Sequence, residues 1–181
     1  MVTPVMRPDE AQQRNAFMAM LWALSYPGRP QRLAVSGLAA FSLIGATLVD
    51  LETGFFTPDP TLAAELALTG GRSLPPDQAP YQFYPRVTTD DLPRLAQAPV
   101  GTYRDPDLGA TLVLGCQFTM GTTLLLSGPG LAQPRTLAVA GLPEQLWALR
   151  QATSYPRGWD LVLLDGSQMV GLPRTTRLEV R

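Results

Sequence analysis

An α/β domain is the fold class this chain predicts, and three features point to it. Helix-like and strand-like segments alternate from Asp9 to Gly71. A nearly continuous apolar run, Ala110 to Phe118, has the character of a strand buried on both faces near the centre of a sheet. Near the end, Leu161 to Leu164 and Met169 to Leu172 flank Asp165-Gly166, a dipeptide that tolerates the positive φ of a tight hairpin turn.

Residues 9–26 predict the first helix. Asp9 and Gln12 stand at capping-box spacing, in which each side chain satisfies the other's backbone amide. Phe17, Met20, Leu21 and Leu24 recur at helical spacing and predict a core-facing stripe. Met18 and Trp22 lie off that stripe, so the helix is apolar on more than one side, which suits either deep burial or a partner. Tyr26-Pro27-Gly28 stops it. A short strand is expected at Leu33 to Val35, then a second helix from Leu38 to Val49 with Phe41, Ile44 and Leu48 along one side. Gly54 to Thr57 reads as a strand and Pro60 to Leu68 as a third helix, capped by Asp59 and stopped by Gly70-Gly71.

From Arg72 to Arg104, proline and polar residues obscure any period. Tyr81 to Tyr84 predicts a short strand, Thr89 to Ala96 a short helix, and Gly101 to Gly109 a loop. Ala110 to Phe118 and Thr122 to Leu126, flanking Met120-Gly121, predict a second hairpin, closed by Ser127-Gly128-Pro129-Gly130. Pro143 opens a helix to Gln151, with Leu142, Leu146 and Leu149 on one side. Tyr155 to Gly158 turns the chain into the last hairpin. Pro173 has no amide to give a ladder, so the returning strand is bulged there or lies at a sheet edge. Beyond it, Thr176, Leu178 and Val180 alternate with Thr175, Arg177, Glu179 and Arg181, a half-buried strand ending at the surface.

Composition then narrows the chemistry. The 181 residues form a single domain, 1–181, with no linker-like stretch, near the usual ~100 to 200 residues per domain. With 14 basic and 15 acidic residues and no basic cluster, the electrostatic footprint of a nucleic-acid binder is missing. No apolar run approaches the ~18 residues of a membrane span. The polar, acid-bearing N-terminus is unlike a signal peptide, so the expected location is cytoplasmic. Histidine is absent, which removes the usual general base, the common hydrolase triads and imidazole ligation. Lysine is absent too, so no Schiff base and no Walker lysine can form. One cysteine, Cys116, cannot build a four-ligand zinc site or hold an iron-sulfur cluster. Inside an apolar strand it reads as a small buried hydrophobe.

Few residues remain as candidates. Arg174, Thr175 and Thr176 combine a guanidinium fork with two hydroxyls, the donors that phosphate or phosphonate oxygens need. The bland alternative ties Arg174 to a local carboxylate, Asp160 or Glu179. Met18, Trp22 and Trp147 are candidate interface anchors, provided they are exposed. Ser127-Gly128-Pro129-Gly130 lacks the nucleotide fingerprints and reads as a turn. Asp90-Asp91 and the Asp105/Asp107 pair are carboxylates in expected solvated loops, poor material for acid/base catalysis.

Several pieces in order carry a family resemblance. They are Phe17, Leu21, Ala23, Ser25 and Pro27-Gly28 in the first helix, then Gly101-Thr102, Gly109 to Leu112, and Gly128 and Gly130. The last part adds Tyr155-Pro156, Gly158, Asp160-Leu161, Pro173 to Thr176 and Glu179-Val180. Residues 68–100 do not match position by position. On these pieces the chain resembles the PhnH family, the H subunit of the bacterial carbon-phosphorus (C-P) lyase core complex of phosphonate catabolism. The resemblance implies a mixed β-sheet flanked by helices in three layers, related to pyridoxal-phosphate transferases but without the cofactor. It implies association with the G, I and J subunits, J most directly, in the system that makes and cleaves ribose methylphosphonate triphosphate, and self-pairing when alone. It assigns the iron-sulfur chemistry to J. The expected role is therefore assembly, with no catalytic residue, metal or cofactor of its own; the rival is an anion-binding protein centred on Arg174.

Overall fold

A computed structural model describes residues 9–181; the polar stretch before Asp9 lies outside them. Its elements run α1 (Glu10–Ser25), β1 (Gln31–Arg32), α2 (Leu38–Leu48), β2 (Gly54–Phe56), α3 (Pro60–Ala67), β3 (Arg72–Ser73), β4 (Tyr81–Tyr84), α4 (Leu92–Leu95), β5 (Thr111–Gly115), β6 (Gln117–Ser127), β7 (Arg135–Ala140), α5 (Gln145–Gln151), β8 (Asp160–Asp165), β9 (Gln168–Leu172) and β10 (Arg177–Val180). Single 3-10 turns at Thr89–Asp91 and Pro106–Leu108 complete it.

Seven strands form one mixed sheet in the order β1-β9-β8-β5-β4-β2-β3, with β5 at its centre, as the unbroken apolar run predicts. From β3 to β8 neighbours are parallel; β9 folds back antiparallel on β8, and β1 pairs antiparallel with β9. A second, antiparallel sheet has the order β10-β6-β7. Strand alternation sends successive side chains to opposite faces. Phe83, Val113, Val162, Leu164 and Met169 meet α1, α2 and α3 on one side. Tyr84, Leu112, Leu114, Leu161, Leu163 and Leu172 meet α4, α5 and the small sheet on the other. The result is a mixed sheet between a helical layer and a layer of helices and strands.

Local chemistry explains most boundaries. Asp9 accepts from the Gln12 amide at 2.7 Å and Gln12 Oε1 accepts from the Asp9 amide at 3.2 Å, completing the capping box of α1. Asp59 caps α3 by accepting from the Leu62 amide, with Pro60 preset for the first turn. The last hairpin turns through Gly166, whose φ of 58° suits glycine. Its strands pair from Leu161 with Leu172 to Asp165 with Gln168, and Pro173 ends the ladder.

Two strand assignments differ from expectation. The short first strand lies at Gln31–Arg32 rather than Leu33 to Val35, because Leu33 already bonds the hairpin loop through Ser167 O at 2.9 Å. The hairpin expected about Met120-Gly121 does not form. β5 pairs with β4 and β8, and the chain crosses at Cys116 into the second sheet, where β6 pairs with β7 and β10. Met120 and Gly121 lie within β6, at a register shift between Gln117 and Thr122. A β-carbon on Gly121 would sit 2.5 Å from Val139 O, so this glycine serves close strand packing rather than a turn.

Cys116 stands at that crossing, half-buried, its amide bonded to Leu164 O at 2.8 Å. Burial pushes its thiol up to about 12, and the charge of Asp165 adds to the shift. Alkylation by iodoacetamide at pH 8 is therefore expected to be far slower than for a free thiol. The sign for stability follows: a thiol protonated more tightly in the native state contributes fully below about pH 9 and loses that contribution towards 12. The loss is at most about 1.4 kcal/mol per pH unit across that window. Urea melts of wild type and Cys116→Ala at pH 8 and 11 check it; equal pH dependence in both would refute the assignment.

Candidate functional site

Two alanines and one methionine of α1 face the sheet, while most of its large residues do not. Ala16, Met20 and Ala23 are buried, with Ala19 packed beside them. Phe17 is 51% exposed, Leu21 48%, Trp22 46% and Met18 41%. The expected core stripe thus holds for Met20 but fails for Phe17 and Leu21. The cause lies in β9. A β-carbon on Gly171 would stand 2.5 Å from the Ala23 carbonyl carbon and 2.6 Å from its oxygen, so helix and strand touch backbone to backbone. A small side chain fits where Ala23 meets Gly171, Met20 packs one turn away, and Phe17 and Leu21 face outward.

The outward residues make one apolar face on successive turns of α1, extended past its end by Tyr26. The Trp22 and Tyr26 rings stack with centroids 5.5 Å apart and planes 15° from parallel. Arg29 lies over the Tyr26 ring at 5.9 Å. Aromatic rings and a guanidinium held by one another are the side-chain types that dominate protein interfaces. Trp147 is not part of this face. It is 1% exposed, in the core between α5 and the sheet, which removes it as a surface anchor.

Arg174 sits in the crossover from β9 to β10. Its Nε and second terminal nitrogen meet both oxygens of Asp160, the closest pair at 2.6 Å. Asp160 also accepts from the Arg174 amide at 2.7 Å. The remaining donors go to Pro106 O and to Gly109 O. A β-carbon on Gly109 would stand 2.6 Å from the guanidinium, so glycine makes the room. All three nitrogens are thereby engaged by the protein, and the fork braces the loop at residues 101–109 against the sheet. Thr175 is half-buried, and Thr176 is buried with its hydroxyl unpartnered among the described residues.

One step inside lies a second arginine. Arg150 of α5 is buried, and its guanidinium donates to Thr176 O at 3.2 Å, Leu172 O at 3.2 Å and Pro173 O at 2.7 Å. Burial pushes it down to about 10, against an upward pull from the Asp160 charge. Its place one helical turn from Leu146, on the apolar side of α5, was the available signal. The carboxylates of Asp90-Asp91 behave differently from each other: Asp90 is exposed, whereas Asp91 is buried. Asp91 caps Thr88 through amide and hydroxyl at 2.9 Å and pairs with Arg94 at 3.0 Å. It is a structural cap, not a solvated loop residue.

Among the described residues no group of three or more His, Cys, Asp or Glu is placed to hold a metal, and no helix is long and apolar enough to cross a membrane. The architecture is that of an α/β protein with a mixed seven-stranded sheet, an internally braced β9–β10 crossover and an aromatic helix face turned outward. The chain belongs to the PhnH family, described as a bacterial phosphonate metabolism protein, whose model matches residues 6–179. It is similar to the "Putative C-P lyase subunit protein HtxG" of Stutzerimonas stutzeri, 33% identical over 175 residues, covering 94% of this chain and 87% of that protein. It is similar also to the alpha-D-ribose 1-methylphosphonate 5-triphosphate synthase subunit PhnH of Rhizobium meliloti (strain 1021). There the identity is 36% over 107 residues, 57% of this chain and 52% of that protein.

Proposed function

We propose that this chain is a subunit of the C-P lyase core complex, in the ribose 1-methylphosphonate 5-triphosphate synthase system, and that it acts by assembling with the G, I and J subunits in the cytoplasm. The observation that carries the reading is the outward face of α1, where Phe17, Met18, Leu21 and Trp22 stand in water on a helix whose other side is already packed. A specific interface buries on the order of 1,000 Å² or more around such anchors. The J subunit is the partner expected on this face. In isolation a second copy of the chain takes its place, giving a homodimer.

Co-expression with the G, I and J subunits tests the proposal. Wild type is expected to co-purify with them, and Trp22→Glu to be recovered at least about tenfold less, since truncating or charging an anchor costs about 2 kcal/mol or more. The same variant, melting within a few degrees of wild type, is expected to sediment as a monomer when alone. An assembled, active complex lacking this chain would end the reading, and unaltered recovery of Trp22→Glu would move the interface elsewhere.

A further inference from the structure

Arg174 is paired with a carboxylate, but a different arginine at the same end of the molecule is not. Arg157 lies in the turn before β8 and forms no ion pair among the described residues. Its Nε is buried without an acceptor, although the residue as a whole is only half-buried. The guanidinium is held over the Tyr103 ring, 4.7 Å from its centroid. Burying part of a cation without a counter-charge is unfavourable, and a flat guanidinium fixed over a ring keeps its edge free to receive an anion.

The surroundings fix these groups in place. Gly158 donates to Val100 O at 2.8 Å, joining the turn that carries Arg157 to the segment leading into the loop that carries Tyr103. Arg174 ties the same loop to the sheet through Pro106 O and Gly109 O. Gly101, at φ 70°, lets the loop fold over itself; a β-carbon there would meet Pro106 O at 2.8 Å. The Ser154 hydroxyl, together with the Arg157 charge, holds the Tyr103 hydroxyl below the usual phenol range, which makes it a better hydrogen-bond donor. Ser154 and Tyr103 are both exposed.

We infer that Arg157, Tyr103 and Ser154 form an oxyanion site that takes a phosphate or phosphonate group. Guanidinium forks and hydroxyl donors are the partners such groups require. The choice of anion rests on the subunit reading above, in which the complex handles phosphonate and phosphate esters. The shared chemistry is the tetrahedral oxyanion, free or carried on a sugar. Arg174, braced by Asp160, positions the loop and does not touch the ligand.

Titration calorimetry of the purified chain with methylphosphonate, inorganic phosphate and ribose 5-phosphate tests the site, with acetate as control. Saturable binding of at least one phosphorus oxyanion is expected, with acetate much weaker. Tighter binding of ribose 5-phosphate than of inorganic phosphate would identify the sugar-borne group. The reverse order would identify the free ion. Arg157→Gln is expected to weaken binding by about tenfold or more, and Tyr103→Phe, which keeps the ring, by roughly threefold. Absence of saturable heat in wild type, equal binding of acetate, or unchanged affinity in Arg157→Gln with a native circular dichroism spectrum would overturn the site. Recovery of the G, I and J subunits by wild type separates the two readings. If wild type recovers them but shows no saturable binding, only this inference fails; if wild type binds phosphate but recovers no partner, the assembly reading fails instead.

Discussion

Arg150→Met is expected to destabilise the protein by roughly 2–4 kcal/mol in urea unfolding. Methionine matches the stem of arginine and fills its volume, so packing alone predicts a small effect. Removing a buried cation also relieves its desolvation, which is the force that pushes Arg150 down to about 10. Against these stand Leu172 O and Thr176 O, which lose the Arg150 donor while remaining in or near the core, and Pro173 O, which keeps only the Thr176 amide at 2.8 Å. Each buried acceptor left unpaired costs about 1–3 kcal/mol. The sum outweighs the relief, because the turn has no spare amide for the other two: Pro173 has none, and Thr176 N is already engaged by Pro173 O. Arg150→Lys is expected to recover about half, since an ammonium reaches fewer of the three with one geometry. A loss below about 1 kcal/mol in Arg150→Met would show that water satisfies the turn and that Arg150 is no clamp.

This clamp bears on how the two sheets are joined. β9 is the last strand of the large sheet in chain order and β10 lies in the small one, with Pro173 to Thr176 as the crossover. Arg150 holds the crossover from inside and Arg174 holds it from outside, through Asp160 on β8. Two guanidiniums therefore share the neighbourhood of one carboxylate. The notable difference is that Arg174 is neutralised by contact, whereas Arg150 rests on carbonyl dipoles.

Much of this was legible in the residue pattern, and the failures have physical causes. The β8–β9 hairpin, the centrality of β5 and the caps of α1 and α3 rest on local chemistry: a turn dipeptide, an unbroken apolar run, an acceptor at the N-cap. The supposed hairpin at Met120-Gly121 rests on the same local signs, two apolar runs about a glycine. Those signs cannot distinguish strands that pair from strands that pass into different sheets. β7 was missed although Leu137 and Val139 alternate with exposed or half-buried neighbours, because the proline and glycines before it read as loop. At the candidate site, spacing sets Met18 and Trp22 off the expected core stripe but leaves both burial and a partner open; their exposure decides it. Phe17 and Leu21 share core-facing spacing with Met20 and yet stand exposed, because helical spacing does not show which side of an all-round apolar helix meets the sheet. What decides burial there is the missing side chain of Gly171, across a contact between residues far apart in sequence.

Gly171→Val is accordingly expected to destabilise by at least about 3 kcal/mol, against the direction local propensity gives. Valine is favoured over glycine in a strand, both for backbone entropy and for packing on a pleated surface. Within β9 alone the substitution would stabilise. The first atom of the new side chain, however, would meet the Ala23 carbonyl carbon at 2.5 Å, its oxygen at 2.6 Å and the Leu24 amide at 2.7 Å. These are backbone atoms of a rigid helix, so no rotamer change relieves the contact, and overpacking in a well-filled core costs about 1–3 kcal/mol even where side chains can yield. α1 must lift, which exposes Ala16, Met20 and Ala23 and uncovers Met169 beneath them. Gly28, whose amide bonds Gly171 O at 3.2 Å, loses its anchor at the same time. Gly171→Val is thus expected to lower both stability and recovery of partner subunits, whereas Trp22→Glu lowers recovery alone. Hydrogen exchange gives the sharper readout: amides of α1 should lose protection in Gly171→Val while those of β5 and β8 keep theirs. Protection of α1 equal to wild type would mean that the strand, not the helix, gives way, and that the helix face presented outward does not depend on this glycine.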